Sequence, residues 1–248
     1  MKVIISGASS GLGKALAHHY AAMGATLGLI ARRSDLLEEL AAELPDVSIY
    51  PADVTNASAV EIIAQDFLGR HGCPDIVIAN AGVSRGTLTE YAEDREVFAD
   101  ILAINVTGMV NLFQPFIAGM RFRGRGSVVG IASVAGYRGL PGSGAYSASK
   151  AAAMTYLESL RVEMHRSGVS VITICPGYIV TPMTANNPFP MPFILTVEDA
   201  AKKIVRTIES RTSFSVIPWQ MSIVAKVLRL LPNFLYDRIF AGVPRKPR

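Results

Sequence analysis

The sequence predicts a single-domain α/β fold, in which a doubly wound, seven-stranded parallel sheet carries helices on both faces. First, short apolar runs alternate with longer amphipathic segments along the chain, without a break in composition. Second, most apolar runs are continuous stretches of Val, Ile and Leu, which is typical of parallel strands covered on both faces. Third, a chain of 248 residues that is 50% hydrophobic can bury one large core.

Seven strands are predicted along the chain, at Lys2–Ser6, Thr26–Ala31, Val47–Pro51, Ile76–Ala79, Gly126–Ala132, Val169–Cys175 and Phe214–Ile217. The amphipathic segments between them predict helices near 11–24, 35–44, 56–70, 93–121, 145–167 and 197–209. Residues 1–218 therefore form the predicted sheet domain, and residues 219–248 extend it. In such a domain we expect the ligand site at the carboxyl ends of the strands.

The charge of the chain is unevenly distributed. The net charge is +4, but residues 1–201 carry 14 basic and 18 acidic side chains, a net −4. Residues 202–248 carry 10 basic and 2 acidic ones, a net +8. Because the basic surplus is confined to the last part of the chain, nucleic-acid binding is not expected.

Several other features predict a cytoplasmic protein. A strand begins at Lys2, which leaves no room for a secretory signal, and no apolar run reaches the roughly 18 residues of a membrane span. Cys73 and Cys175 lack metal-type spacing and are predicted to be buried free thiols, which suits a reducing compartment. No metal site is expected, because the histidines show no ligand spacing; they are His18, His19, His71 and His165.

A glycine-rich turn directly follows the first strand. The segment Ser-Gly-Ala-Ser-Ser-Gly-Leu-Gly-Lys at residues 6–14 joins that strand to the first helix. Its glycines let the backbone turn tightly and approach a pyrophosphate, and the helix presents unpaired N–H groups to the anion. The cofactor contacts predicted here are Gly7, Ser9, Ser10, Gly11, Leu12 and Gly13.

The end of the second strand bears on which dinucleotide the glycine-rich turn would bind. NAD sites place an Asp or Glu there for the ribose 2′-hydroxyl, whereas the 2′-phosphate of NADP needs cations. Here the strand ends in Ala31-Arg32-Arg33-Ser34, and the first acidic residue after it is Asp35. Unless both arginines are merely solvated, this pattern favours NADP(H) over NAD(H), with either Arg32 or Arg33 as the principal contact.

A second group of polar residues lies on the helix predicted at 145–167 and at the end of the fifth strand. Tyr146 and Lys150 are four residues apart on a predicted helix and share a face, and Ser133 follows the fifth strand. A tyrosine with an unperturbed pKa of about 10 transfers a proton poorly near neutral pH. The ammonium of Lys150 would favour the phenolate of Tyr146, and the Ser133 hydroxyl would hold the substrate oxygen as charge develops on it.

Six ordered motifs over roughly residues 1–182 make the chain similar to the short-chain dehydrogenase/reductase family. The Gly-x-x-x-Gly-x-Gly spacing of residues 7–13 is that family's pattern, with Ser6 where Thr is usual. Residues 79–82, Ala-Asn-Ala-Gly, resemble its Asn-Asn-Ala-Gly, and Tyr-x-x-x-Lys at 146–150 resembles its catalytic motif. The resemblance implies a Rossmann fold and a pyridine-nucleotide oxidoreductase acting on a ketone, an aldehyde or a secondary alcohol.

The resemblance also implies roles for residues near the adenine end of the cofactor. Asp53 and Val54 follow the third strand, where the family's acidic residue contacts the adenine ring. Asn80, Ala81 and Gly82 follow the fourth strand, where small residues permit close approach to the cofactor. We interpret Asn80 first as a structural tie between neighbouring strands and second as a neighbour of the cofactor.

At the nicotinamide end, the resemblance makes Tyr146 and Lys150 contacts of the cofactor as well, with Lys150 bonded to the ribose. Asn105 matches the residue that holds a water linking the lysine to solvent. The carboxamide would be held after the sixth strand, by Pro176, Gly177, Ile179 and Thr181. Homodimers or homotetramers through the helices predicted at 93–121 and 145–167 are also implied. A catalytically silent NADP-binding sensor or structural protein of the same fold is the alternative.

The loops beyond the catalytic motif are apolar and rich in methionine. They lie at residues 134–141 and in a predicted substrate loop at about 183–196. They indicate a lipophilic substrate, although a lid that packs on the core would have the same composition.

The C-terminal segment carries no catalytic motif. Residues 219–231 predict an apolar helix with a narrow polar stripe at Ser222, Lys226 and Arg229, and a basic tail follows it. Such a helix needs cover on most sides. The cover could come from its own domain, from a partner subunit or from an anionic membrane surface.

Overall fold

A computed structural model describes residues 1–248 and has one seven-stranded, wholly parallel sheet. Its strands are β1 (Lys2–Ser6), β2 (Thr26–Ala31), β3 (Val47–Pro51), β4 (Ile76–Ala79), β5 (Gly126–Ile131), β6 (Val169–Pro176) and β7 (Phe214–Ile217). They lie in the order β3-β2-β1-β4-β5-β6-β7. The predicted fold class is confirmed, and two strands differ from the prediction by one residue at their ends.

Helices connect successive strands, as expected for a parallel sheet. They are α1 (Gly11–Ala22), α2 (Ser34–Glu43), α3 (Ala57–His71), α4 (Asp94–Leu102), α5 (Gly108–Arg123), α6 (Gly144–Glu163), α7 (Val197–Glu209), α8 (Trp219–Leu230) and α9 (Asn233–Phe240). The single helix predicted at 93–121 is divided into α4 and α5 by a π-helical turn at Ala103–Thr107. Apolar periodicity did not reveal that turn, which widens the helix locally and is a frequent feature of functional sites.

Two apolar cores lie on the two faces of the sheet. One contains 27 buried residues under α1, α2 and α7, and the other contains 21 under α3, α5 and α6. Within β1, Val3 and Ile5 point into the first core and Ile4 points into the second. This covering on both faces is the reason why the strands are continuously apolar.

The order of strand connections reverses between β1 and β4. From β1 the chain proceeds to β2 and β3 on one side, and from β4 it proceeds to β5, β6 and β7 on the other. The loops that leave β1 and β4 therefore diverge at the carboxyl ends of these strands. This crevice is where doubly wound sheets bind ligands.

The helical run Asp94–Arg123 is long and apolar enough, by length and composition, to cross a membrane, with a mean hydropathy of 1.5 over its most apolar window. The prediction from uninterrupted apolar runs overlooked it. Four of its large side chains, Leu112, Phe113, Phe116 and Met120, pack in the second core and are at most 1% exposed. Phe98 and Phe122 are 40% and 97% exposed, and 39% of the most apolar window is buried. 

The predicted burial of the two cysteines is only half correct. Cys175 is fully buried in β6, but Cys73 is only partly buried. Cys73 lies in the loop between α3 and β4, at the edge of the second core, where no element covers it completely.

Helix α8 is covered by its own domain on one side only. Met221 and Ala225 are buried, and the helix contacts β7 and the turn after β5. The opposite side exposes Trp219, Ile223, Val227 and Leu230, each by more than half. Of the three kinds of cover left open by the sequence, the helix's own domain provides cover for one face.

Candidate active site

A cleft of about 470 Å³ opens at the carboxyl ends of the strands. Of the residues predicted to bind the cofactor or to act in catalysis, all except Gly13 and Asn105 line it. The lining residues from that set are Gly7, Ser9, Ser10, Gly11, Leu12, Arg32, Arg33, Asp53, Val54, Asn80, Ala81, Gly82, Ser133, Tyr146, Lys150, Pro176, Gly177, Ile179 and Thr181. The fold thus brings side chains from six strand ends into one site.

The glycine-rich turn bends sharply at the start of α1. Gly7 and Gly11 have φ angles of +67° and +52°, which residues with a side chain rarely adopt. The Ser10 side chain does not cap α1, so the first N–H groups of the helix can bind an anion. Gly13 was predicted to contact the cofactor, but it does not line the cleft. It packs against the carbonyl oxygen of Gly7, where a Cβ atom would not fit, and so serves close packing of the turn.

Two arginines lie beside this turn, and the structure distinguishes them. Nη2 of Arg33 donates to Oγ of Ser9 at 2.9 Å and to Oγ of Ser10 at 2.8 Å. The side chain of Arg32 is 61% exposed, with Nη1 3.6 Å from Oδ2 of Asp53. Burial would raise the pKa of Asp53, but hydrogen bonds and the charge of Arg32 lower it. Arg33 is thus the arginine held against the turn, and Arg32 lies towards Asp53.

Asn80 ties β4 to the glycine-rich turn. Its Nδ2 donates to the carbonyl oxygens of Ser6 at 3.1 Å and Gly7 at 3.2 Å. In the other direction, Oγ of Ser6 accepts from the N–H groups of Asn80 and Ala81, both at 3.1 Å. The motif needs a hydroxyl at this position, which Ser6 supplies in place of Thr.

Tyr146 and Lys150 lie on the face of α6 that borders the cleft. Nζ of Lys150 is 5.7 Å from the centre of the Tyr146 ring and donates to the carbonyl oxygen of Ile131 at 2.7 Å. Ser133 directly follows the strand end, and its Oγ accepts from the N–H group of Ala135 at 3.1 Å. A phenol, an ammonium and a hydroxyl therefore meet at one place in the cleft.

Burial dominates the electrostatics of this group. Burial raises the pKa of Tyr146, and the hydrogen bond with Ser133 lowers it in part. Burial also lowers the pKa of Lys150 to about 8. The sequence predicted that the ammonium of Lys150 would favour the phenolate of Tyr146, whereas in the structure burial raises the pKa of this phenol. Tyr146 therefore keeps its proton at neutral pH, which is the state that a proton donor needs.

Asn105 lies beneath the cleft, in the π-helical turn, and is 1% exposed. Its Nδ2 donates to the carbonyl oxygen of Val83 at 3.0 Å and to Oγ of Ser149 at 2.9 Å. Its Oδ1 accepts from the N–H group of Val83 at 2.8 Å. The side chain thus joins the loop after β4 to α6.

The far wall of the cleft follows β6. Oγ1 of Thr184 donates to the carbonyl oxygen of Ile179 at 2.6 Å and accepts from the N–H group of Thr181 at 3.1 Å. Thr184 thus shapes the turn that was predicted to hold the carboxamide. Thr184 and Met183 both belong to the substrate loop predicted at about 183–196, and both line the cleft. The bond from Thr184 to its own turn was not predicted, although a spacing of three residues from Thr181 is typical of such a bond. Val83 also lines the cleft and belongs to no motif.

Comparison with known proteins identifies the class. A model of the family described as short chain dehydrogenase matches residues 1–189. The chain belongs to this family. It is 38% identical over 238 residues to an uncharacterized oxidoreductase of Myxococcus xanthus, with 94% of each chain covered.

Solved structures agree in fold. A short-chain dehydrogenase from Streptomyces avermitilis superimposes with a TM-score of 0.80 at 28% identity, over 91% of each chain. L-Sorbose reductase from Gluconobacter frateurii, solved with NADPH and L-sorbose, gives 0.78 at 26% identity, over 87% of this chain and 94% of that one. The protein is therefore a dehydrogenase or reductase that uses a nicotinamide cofactor.

Proposed function

We propose that this protein is an NADPH-dependent carbonyl reductase that reduces a ketone or aldehyde, or oxidises the corresponding secondary alcohol, with Tyr146 as general acid and base. The proposal rests on one observation. Tyr146, Lys150 and Ser133 border the same cleft as a glycine-rich turn that can bind a pyrophosphate. When bound, the reduced nicotinamide supplies the hydride.

The chain's own residues would perform the proton chemistry. Ser133 donates a hydrogen bond to the substrate oxygen, which aligns the carbonyl and stabilises the negative charge that develops on it. Tyr146, which burial keeps protonated, delivers its proton to that oxygen. The charge of Lys150 stabilises the resulting phenolate, and Asn105 holds the adjoining loop and α6 in register.

The preference for NADP(H) rests on Arg33 and Arg32. A phosphate on the adenosine ribose would lie near Ser9 and Ser10, where Arg33 is already oriented by two hydrogen bonds. Arg32 adds a second cation, and the end of β2 presents no carboxylate to bind a free 2′-hydroxyl. The similarity to an L-sorbose reductase solved with NADPH supports the same preference. 

A lipophilic substrate agrees with the composition of the loop after β6. Met183 lines the cleft, and Phe193 and Ile194 of the same loop are at least 41% exposed. Tyr178 and Phe189 pack with their ring centres 6.3 Å apart. The apolar side chains of this region that line the cleft are Ile179, Pro182 and Met183, and they favour a ketone with a hydrocarbon body.

The first experiment is a screen of small and lipophilic ketones with NADPH oxidation as the readout. We expect turnover of at least one ketone with an apolar chain, with a lower KM for NADPH than for NADH. If NADPH binds but no ketone or alcohol is turned over, the protein is the catalytically silent alternative. 

The oligomeric state and the location of the protein are also proposed. We propose a cytoplasmic homodimer or homotetramer in which α4, α5 and α6 meet their counterparts, and a peripheral contact with an anionic membrane through α8 and α9. The exposed residues of α8, at Trp219, Ile223, Val227 and Leu230, recur at helical spacing and form one stripe. Lys226 lies beside the stripe, as cations do in helices that rest on anionic lipid.

Co-sedimentation with vesicles tests this contact. Full-length protein should bind vesicles of phosphatidylglycerol and phosphatidylcholine in equal parts more strongly than phosphatidylcholine alone. Leu230→Ser should lower the partition coefficient by about 10- to 100-fold, because burying one such side chain contributes about 1.5–3 kcal/mol. Ile62→Ser removes an exposed apolar side chain on α3 and should change nothing. Absence of binding, with a mass that falls by half in Leu230→Ser, would instead assign the face to a second copy of the chain.

A further inference from the structure

The tail segment, residues 241–248, returns from α9 to the rim of the cleft. The N–H group of Gly86, in the loop between β4 and α4, donates to the carbonyl oxygen of Pro247 at 2.9 Å. The side chain of Arg245 packs against Gly142, so closely that a Cβ atom at Gly142 would be 2.8 Å from it. The tail therefore lies across two loops that precede α4 and α6.

Arg248 anchors this segment. Its Nε lies 3.0 Å from Oδ2 of Asp94, its Nη2 lies 2.7 Å from Oε1 of Glu93, and its guanidinium is 3.8 Å from the centre of the Tyr91 ring. Asp94 is 6% exposed and also accepts from the N–H group of Leu88 at 2.7 Å. A buried carboxylate with several donors gives the tail a firm attachment.

Lys246 lies between these attachments and bridges the two walls of the cleft. Its Nζ donates to Oγ of Ser84 at 2.8 Å and is 3.5 Å from the carbonyl oxygen of Met183. Ser84 directly follows Val83, and both Val83 and Met183 line the cleft. The ammonium is therefore held between the two chain segments that bring Val83 and Met183 to the cleft.

This ammonium has no acidic partner. No carboxylate lies within 4.0 Å of it, whereas its neighbour Arg248 has two. Lys246 is partly buried, and burial lowers its pKa. A cation that has lost water without gaining a counterion gains most from an anion brought by a ligand.

We propose that Lys246 binds an anionic group of the substrate, a carboxylate or a phosphate, at the end remote from the reacting carbonyl. This inference rests on the proposed reductase function and narrows it. The substrate has a carbonyl for Tyr146 and Ser133, an apolar body for the wall around Met183, and an acidic end for Lys246. The alternative is that Lys246 only latches the two loops together.

The test compares acids with their neutral esters. NADPH-dependent reduction is measured with 4-, 5- and 6-oxodecanoate and with the methyl ester of each. The best acid should exceed its ester in kcat/KM by about tenfold or more, as expected for one charge-assisted hydrogen bond. Lys246→Met should remove that preference by raising KM for the acid, with kcat and the ester's kinetics within about twofold. Lys246→Arg should retain it, and Lys202→Met, on an exposed face of α7, should have no effect.

Two outcomes would overturn the inference. The first is an equal kcat/KM for acid and ester in the wild type. The second is an equal loss of activity with both in Lys246→Met, which is expected if Lys246 only holds the two loops together. If no compound is turned over, the proposed function fails, and titration of decanoate and decyl phosphate into the protein still tests the site. If Lys246→Met binds either anion at least about tenfold more weakly than the wild type, the site is supported, and the tighter of the two anions is the one it prefers. If the wild type and Lys246→Met bind both anions equally, the inference is overturned.

Discussion

Replacing Tyr146 by Phe is expected to lower kcat for ketone reduction by about 10³-fold, because proton transfer by a positioned side chain contributes about 10²–10⁴-fold. The substitution removes only the hydroxyl. The ring stays beside Lys150, whose Nζ keeps its bond to the carbonyl oxygen of Ile131. The Kd for NADPH should therefore remain within about twofold, because the turn, Arg33 and Asn80 are untouched.

Tyr137→Phe is the matched control. Tyr137 lies in the turn after β5, and burial raises its pKa to about 12, but its ring packs near Phe214 and does not line the cleft. Its loss should leave kcat unchanged. Steady-state rates together with a fluorescence titration of NADPH separate chemistry from binding. A Tyr146→Phe protein that retains turnover would refute the assignment of the proton donor.

The second large effect is expected at the cofactor's phosphate. Arg33→Gln should raise KM for NADPH by about 10- to 100-fold, since a hydrogen bond to a charged group is worth about 1.5–3 kcal/mol. KM for NADH should change by less than about threefold, because NADH carries no 2′-phosphate. Arg32→Gln should have a smaller effect, because Arg32 is 61% exposed and is shared with Asp53.

Arg161→Gln is a control for the loss of a positive charge, because Arg161 lies on α6 away from the turn. Kinetics with both cofactors for each variant give the ratio of the two specificity constants. Equal increases in KM for NADPH and NADH in Arg33→Gln would contradict the preference for NADP(H).

The sheet and the cofactor turn could be predicted from sequence because their signals are local. A buried parallel strand is a continuous apolar run, and the turn after β1 needs glycines where φ is positive, as at Gly7 and Gly11. The spacing of Tyr146 and Lys150 is likewise a property of one helix. These features need no knowledge of how distant segments meet.

The remainder depends on contacts between distant residues. The two arginines are adjacent in sequence, and only the fold decides that Arg33 meets Ser9 and Ser10 while Arg32 turns towards Asp53. The return of the tail to the cleft depends on Arg248 and Asp94, which are 154 residues apart. No periodicity or motif encodes such a contact.

The most direct test of the proposed reaction follows the transferred atom. The protein is incubated with a ketone from the screen and, in separate reactions, with (4R)- and (4S)-[4-²H]NADPH, and the product is examined by mass spectrometry and NMR. We predict one deuterium on the new carbinol carbon with one of the two labelled cofactors and none with the other, and no labelled product with Tyr146→Phe over the same time. An alcohol without deuterium from both cofactors, or equal labelling by Tyr146→Phe, would contradict hydride transfer with Tyr146 as the proton donor.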